Sequence, residues 1–169
     1  MVNFCARFIP NLATLAQPLR ELTKTNVKWK WTATEQQALE NIQEKLTSET
    51  TMAYYDQDSD TEIIVEANPV GLGAMLVQTP QDPSKPPRAI SYASRALTSV
   101  EARYSQIERE ALGIVWACTK FHLYLYGTQF RVITDHKPLE RLFNDPSSKP
   151  PARIERWFLK LQTYWFYVQ

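Results

Sequence analysis

The sequence predicts an α/β fold in which helices pack on a mixed β-sheet. Three alternating apolar runs follow one another from residue 61, joined by short or turn-rich links, which is typical of an antiparallel meander. A long amphipathic pattern then precedes a fourth strand-like run at residues 129–135. A helix between two strands is the crossover that lets them pair in parallel, so we expect this fourth strand to join the same sheet.

The first fifty or so residues are predicted to be helical. Apolar residues recur at three- and four-residue steps in two stretches: Leu12, Leu15, Leu19 and Leu22 in the first, and Ala38, Leu39, Ile42 and Leu46 in the second. Two short amphipathic helices are therefore expected, the second capped by Thr32 or Thr34. This segment is too small to form a domain alone, and its apolar stripes must bury against something.

The elements after residue 60 follow from their patterns in turn. The meander strands are predicted over TEIIVEA, LGAMLVQ and RAISYAS, with a Pro-rich excursion before the third. Residues 98–126 predict one long helix, closed by Gly127. After the fourth strand, HKPLERLF and ARIERWFLKLQ predict two further helices, and YWFYVQ predicts a final strand.

Composition limits the class of protein. With 169 residues, 44% of them apolar and 22% charged, the chain suits one ordinary core or one domain with a small appendage. Its apolar runs are too short to span a bilayer, which excludes a membrane partner, and Arg7 and Pro10 interrupt any secretion signal. We therefore expect an intracellular protein in which Cys5 and Cys118, far apart in sequence, are reduced thiols.

The net charge of +1 predicts no overall attraction to nucleic acid, so binding would need a local patch. The basic residues that could form one are Lys85, Arg88, Lys149, Arg153, Arg156 and Lys160. Scattered surface charge is the more common explanation for such residues.

Acidic side chains stand where two predicted strands end. In sheets with crossover helices, ligands gather at the carboxyl ends of strands, and Glu66 and Asp135 lie at such ends. The long helix offers Glu108 or Glu110 on opposite sides of its apolar stripe. We choose Glu110, because the small residues that begin at Gly113 would let that side of the helix approach the strands closely.

A cluster of carboxylates predicts a divalent cation, because carboxylates raise each other's pKa unless a cation neutralises them. Mg²⁺ or Mn²⁺ would suit oxygen ligands, and two ions about 4 Å apart can hydrolyse a phosphodiester. Each acid taken alone is more simply a solvated or helix-capping carboxylate. Nuclease chemistry is thus a hypothesis about the three acids together.

Several motifs give the chain a family resemblance. FCARFIPNLATLAQPLRELTK, YSQIEREALGIVWA, YLYG and TDHKPL resemble the end of the pol polyprotein of gypsy-class LTR retrotransposons. Residues 1–56 resemble the helical thumb and connection that end a reverse transcriptase. Residues 57–169 resemble its ribonuclease H-like domain, without that domain's C-terminal end.

The resemblance implies a ribonuclease H fold that cuts the RNA strand of RNA–DNA hybrids with two Mg²⁺ or Mn²⁺ ions. Three of the four acids of the family's metal site fall on Glu66, Glu110 and Asp135. The fourth belongs to a segment beyond the last strand, after Gln169. Nucleic-acid contacts are expected from a set of four residues, Tyr92, Arg95, Lys137 and Arg153.

The resemblance also implies a wider setting. The chain would belong to a polyprotein with the polymerase palm upstream, located in the cytoplasm if it belongs to a replicating element.

Two departures from the family motif bear on activity, since Glu66 replaces an aspartate and Asn68 replaces a serine. An extra methylene displaces the carboxylate by roughly 1 Å, which can cost on the order of 10²-fold in rate. We therefore expect impaired catalysis. The alternative is a non-catalytic remnant that binds nucleic acid or packs against a partner, while YLYG and TDHKPL argue against an integrase- or resolvase-like nuclease.

Overall fold

A computed structural model describes residues 9–47 and 53–169, and it contains one five-stranded sheet in the order β3-β2-β1-β4-β5. The strands are β1 Asp60–Ala67, β2 Gly71–Thr79, β3 Arg88–Ala96, β4 Gln129–Thr134 and β5 Trp165–Val168. β1, β2 and β3 form the antiparallel meander, whereas β4 pairs in parallel with β1 and β5 pairs in parallel with β4. The predicted mixed sheet is confirmed.

Helices precede the sheet and connect its strands. They are α1 Leu12–Leu15, α2 Gln17–Glu21, α3 Ala33–Thr47, α4 Gln106–Lys120, α5 His122–Leu125, α6 Lys137–Asn144 and α7 Ala152–Leu161, with a 3₁₀ turn at Glu101–Arg103. The two helices predicted before residue 50 become three, because the backbone at Ala16 leaves the α region between α1 and α2.

The predicted long helix is shorter than expected and is interrupted. α4 begins only at Gln106. Ser105 has an extended backbone and forms a capping box with Glu108, so a helix cannot continue through Ser105 from the residues before it. It stops at Lys120, where Phe121 leaves the helical backbone, and α5 adds one more turn. Gly127 follows with φ at 78°, a conformation that suits glycine, so the predicted stop residue ends α5.

α4 packs on one face of the sheet and forms the main core with it. Ile63 and Val65 of β1, Val132 of β4 and Ile114 of α4 are all buried there. Gly113 permits a close approach, since a Cβ at this position would lie 2.8 Å from Cγ1 of Val65. Cys118 is buried in the same core as a free thiol, and burial raises its pKa to about 12, while Cys5 lies outside the described residues.

The N-terminal helices pack on the opposite face of the sheet. Side chains alternate along a strand, so Gly71 of β2 faces away from α4, and a Cβ added to it would lie 3.1 Å from Cβ of Ala13. The Ala13 backbone N–H donates to Ser94 Oγ of β3 at 2.6 Å. Ile9, Leu12 and Ile42 form a second buried cluster beneath these contacts, and Leu12 and Ile42 belong to the two predicted apolar stripes.

The remainder of that face is more open. Ile64, Trp165 and Tyr167 lie on it with exposed fractions of 37%, 69% and 43%. Among residues 9–47 and 53–169, no helix is both long enough and apolar enough to cross a bilayer.

Candidate active site at the β1 and β4 ends

The sheet topology brings Glu66 and Asp135 side by side. Val65 of β1 pairs with Thr134, the last residue of β4, in the parallel ladder, so Glu66 and Asp135, which follow them, stand at the same edge. Both carboxylates are exposed there. The two strand-end acids that the sequence singled out therefore lie at neighbouring positions, because β1 and β4 run in the same direction.

Glu110 of α4 reaches this edge from inside the protein. Only 2% of its surface is exposed. Gln106 Nε2 donates a hydrogen bond of 2.6 Å to its Oε1, whereas the buried Oε2 has no hydrogen-bond partner among the residues that the structure describes. Burial, together with the nearby negative charges of Asp135 and Glu66, raises the pKa of Glu110 to about 7. Glu110 is therefore close enough to both strand-end acids to experience their charges.

Glu108, the other acid considered on α4, is used differently. Its Oε2 accepts hydrogen bonds from the backbone N–H and the side chain of Ser105, which lower its pKa. Its Oε1 is ion-paired with Arg153 of α7. Glu108 thus caps α4 and joins it to α7, and Glu110 is the acid that faces the strands.

Glu66 has a partner that sequence reasoning did not identify. Asn11 Nδ2 donates a hydrogen bond of 3.1 Å to Glu66 Oε2. Asn11 has φ at 50°, in the left-handed region that asparagine tolerates better than most residues. A Cβ on Gly73 would overlap Asn11 Oδ1, so the glycine leaves the space that the amide occupies. In the sequence, this contact was indicated by an asparagine before a predicted helix and a glycine within a predicted strand.

The donor chemistry of this edge fits a hard divalent cation. All three side chains offer carboxylate oxygens, and within the described part of the chain no hydrogen bond reaches the buried Oε2 of Glu110. Over the described ranges, however, no three His, Cys, Asp or Glu side chains lie close enough together to form a ligand set. The acids share an electrostatic environment, but their oxygens do not converge on one point.

The four predicted nucleic-acid contacts differ in their availability. Arg95 forms a bidentate ion pair with Glu101, at 2.8 and 2.9 Å, and Arg153 pairs with Glu108. Tyr92 is partly buried on β3, and Lys137 is exposed at the start of α6, two residues after Asp135. Both arginines are thus engaged by acids of the chain itself, while Lys137 is exposed beside the acidic edge.

Comparison with known proteins identifies the fold and the family. The family described as "RNase H-like domain found in reverse transcriptase" matches residues 56–164. The chain belongs to this family. The resemblance found in the YSQIEREAL and TDHKPL motifs is confirmed.

Relatives of this RNase H-like chain are retrotransposon polyproteins. The Tf2-3 and Tf2-4 transposon polyproteins of Schizosaccharomyces pombe are each 32% identical to it over 169 residues, which cover 99% of the chain. The chain spans only 12% of their length. It therefore corresponds to a small part of these relatives.

Solved structures support the same fold. A foamy viral protease-reverse transcriptase in complex with RNA/DNA hybrid superposes with a TM-score of 0.70 at 22% identity, over 99% of this chain and 23% of that one. The foamy viral enzyme in complex with double-stranded DNA gives a TM-score of 0.70 at 23% identity, over 99% and 36%. Both superpositions support the fold described above, a five-stranded sheet with packed helices.

Proposed function

We propose that this chain is the ribonuclease H part of a retrotransposon reverse transcriptase polyprotein and hydrolyses the RNA strand of RNA–DNA hybrids with Mg²⁺ or Mn²⁺. The observation that carries the proposal is Glu110, a buried carboxylate with one unpartnered oxygen that experiences the charges of Asp135 and Glu66. Burying such a group without a cation is unfavourable, which favours a metal-binding role. A polymerase palm upstream in the polyprotein and a cytoplasmic location belong to the same proposal, as does the division at residue 56.

In this proposal Glu66, Glu110 and Asp135 hold the cations. Divalent cations held there would supply an activated water and would stabilise the charge on the leaving oxygen. The chain's own contribution is to fix the ligands. Gln106 Nε2 donates to Glu110 Oε1, and Arg109 donates to Gln106 Oε1 at 2.6 Å, which orients the amide. One oxygen of Glu110 is thereby held, and the other is left for a cation.

Hybrid binding would use the side chains that flank this edge. Lys137 is exposed and offers a phosphate contact, and Tyr92 offers an aromatic surface on β3. Arg95 and Arg153 would have to exchange their internal carboxylates for phosphates. We therefore expect Lys137 to contribute more to hybrid affinity than either arginine.

A second candidate is a non-catalytic module that binds hybrid without cutting it. Two observations favour this candidate: Glu66 is longer than the aspartate of the family motif, and the three acids do not form a ligand set among the described residues. Under this alternative the edge binds hybrid and cleavage is absent. The same residues allow both functions, so an assay must separate them.

The assay measures cleavage of an RNA–DNA duplex with labelled RNA in Mg²⁺ or Mn²⁺. We expect weak cleavage by the natural chain and a rise of about 10- to 100-fold in Glu66→Asp, because the shorter carboxylate restores the ligand spacing. Glu110→Gln and Asp135→Asn should remove cleavage. Glu155→Gln, an exposed residue of α7, is the matched control for loss of one negative charge.

Two results would contradict the nuclease proposal. Cleavage that survives in Asp135→Asn and Glu110→Gln would come from elsewhere. Hybrid binding without cleavage in both the natural chain and Glu66→Asp would establish the non-catalytic module instead.

A further inference from the structure

The connection between α2 and α3 exposes two stacked tryptophans, Trp29 and Trp31, which we call the tryptophan pair. Every residue from 23 to 31 is exposed, and residues 28–32 have no regular secondary structure. Trp29 is 66% exposed and Trp31 is 40% exposed. The ring centroids are 6.1 Å apart, with an angle of 24° between the planes. The connection therefore presents an aromatic surface that is open to solvent.

The start of α3 holds the tryptophan pair in place. Trp31 Nε1 donates a hydrogen bond of 3.1 Å to Gln36 Oε1. The next residue along the chain is Thr32, whose backbone N–H donates to Glu35 Oε2 at 2.8 Å in a capping interaction. A ring fixed in this way loses little conformational entropy when a ligand stacks on it.

Lysines alternate with the two tryptophans. Lys28 and Lys30 are exposed in the run VKWKW, and residues 17–31 carry four basic side chains and one acidic one. Neither lysine forms an ion pair with another described residue, although hydrogen bonds from Thr32 and the charge of Lys30 lower the pKa of Glu35. Since the whole chain has a net charge of only +1, this connection is a local concentration of positive charge.

The alternation of lysine with exposed aromatic rings favours a nucleic acid over a protein as the ligand. Lysine is depleted in protein–protein interfaces, because its strongly hydrated ammonium group is costly to bury. Sites for single strands instead combine aromatic rings, on which bases stack, with cations that contact phosphates. In a duplex the bases are already stacked on their neighbours, whereas the bases of a single strand have free faces.

We propose that Trp29 and Trp31, with Lys28 and Lys30, form a binding site for single-stranded nucleic acid. Bases stack on the exposed ring of Trp29, and the lysines contact the phosphates of the same strand. Stacking on a ring does not involve the 2′-hydroxyl, so RNA and DNA strands should bind alike. The site uses none of the residues of the acidic edge or of the proposed hybrid contacts.

The test measures binding of the full chain to fluorescein-labelled oligothymidylate and oligouridylate of about 12 nucleotides, by fluorescence anisotropy in EDTA. Trp29→Leu removes the ring and keeps an apolar side chain. It should weaken the binding of both strands by about 10-fold, which lies within the range for the loss of one stacked base. Trp165→Leu is the matched control, since Trp165 is 69% exposed on β5 and its loss should leave the affinity unchanged.

The salt dependence separates stacking from charge. Lys28→Gln should reduce the slope of the logarithm of the association constant against the logarithm of salt concentration by roughly 0.7, the value for one phosphate contact on a single strand. Trp29→Leu should weaken binding without changing this slope. Lys120→Gln, an exposed lysine at the end of α4, is the charge control and should change neither quantity.

A blunt DNA duplex tests the preference for single strands. Trp29→Leu should change the affinity for this duplex by less than about 2-fold, because its bases are not free to stack on the ring. An equal loss for duplex and single strand would contradict the proposal.

Two further results would overturn the site. Equal single-strand affinity in the natural chain and Trp29→Leu is the result expected if the tryptophan pair packs against another protein segment. An equal loss in Trp29→Leu and Trp165→Leu would show that the connection between α2 and α3 has no special role. EDTA removes divalent cations, so this test does not depend on the proposed nuclease function, and either proposal can fail without the other.

Discussion

At the scale of single residues, Glu108 and Glu110 show how position on one helix decides the properties of a carboxylate. They are two residues apart, yet hydrogen bonds lower the pKa of Glu108 whereas burial raises that of Glu110 to about 7. The apolar stripe of the sequence identified the two sides of the helix. The small residue Gly113 indicated the side that approaches the strands, and the structure places Glu110 there.

The ion pair of Arg95 and Glu101 predicts a pH dependence of stability. Hydrogen bonds from Arg95 lower the pKa of Glu101 from 4.5 to about 2. A depressed pKa means that the stabilisation is present above pH 4.5 and is lost as the pH falls toward 2. At pH 7, Glu101→Gln should lower the free energy of unfolding by about 1–2 kcal/mol in urea denaturation.

The decisive measurement compares the free energy of unfolding of the natural chain and Glu101→Gln at pH 2.5. The difference between the two proteins should be markedly smaller there than at pH 7. Glu155→Gln on α7 serves as an exposed control, with little effect at either pH. A Glu101→Gln penalty that stays constant between pH 7 and pH 2.5 would show that the ion pair does not stabilise the fold.

Other residue contacts lay beyond sequence reasoning. The partner of Arg153 is 45 residues away, and Asn11 meets Glu66 across 55 residues. Such pairs depend on the mutual placement of elements, whereas motifs and periodicity report only local structure. The sequence therefore selected the candidate acids but not the side chains that hold them.

At the scale of elements, α4 was predicted correctly in kind and incorrectly in extent. The apolar stripe continues through residues 98–126, but Ser105 with Glu108 starts the helix late and Phe121 ends it early. Periodicity describes which face would be buried if the helix continued. The capping interactions decide whether it does continue.

The packing of α4 on β1 predicts the effect of filling Gly113. Gly113→Ala would place its Cβ 2.8 Å from Val65 Cγ1, so the helix must move away from the strand. We expect a loss of about 1–3 kcal/mol in the free energy of unfolding, measured by urea denaturation, despite the higher helix propensity of alanine.

A second substitution tests whether the contact with Val65 causes this loss of stability. In the background of Val65→Ala the clashing methyl is absent, so adding Gly113→Ala should cost less than it does in the natural chain. Equal costs in the two backgrounds would mean that the contact with Val65 is not the source of the strain.

At the scale of the whole molecule, the N-terminal helices and the sheet share a boundary. α1 lies on β2 and β3, and the small cluster of Ile9, Leu12 and Ile42 joins α1 to α3. The sequence predicted that these helices need a partner surface. The sequence did not predict which face of the sheet provides this surface. Gly71 and Gly73 make room for the N-terminal segment because they have no side chain, and a missing side chain gives no pattern in the sequence.

The packing at this boundary predicts which elements lose stability when a buried residue is substituted. Leu12→Ala should lower the free energy of unfolding by about 2–4 kcal/mol, because Leu12 is only 3% exposed. Hydrogen exchange read by mass spectrometry should increase in α1, α3 and β3, and much less in β5 at the other end of the sheet. Leu159→Ala is a control, since Leu159 is 60% exposed. Increased exchange confined to α1 would refute the shared boundary.

The parallel pairing of β1 with β4 also has a consequence for the time course of folding. β1, β2 and β3 are joined by short connections, whereas Thr61 of β1 meets Phe130 of β4 roughly 70 residues later along the chain. Closing so long a loop loses more chain entropy than forming a hairpin, so the meander can assemble before β4 arrives. Glu66 lies in β1, and Asp135 directly follows β4. The acidic edge is therefore completed in one of the last steps of folding.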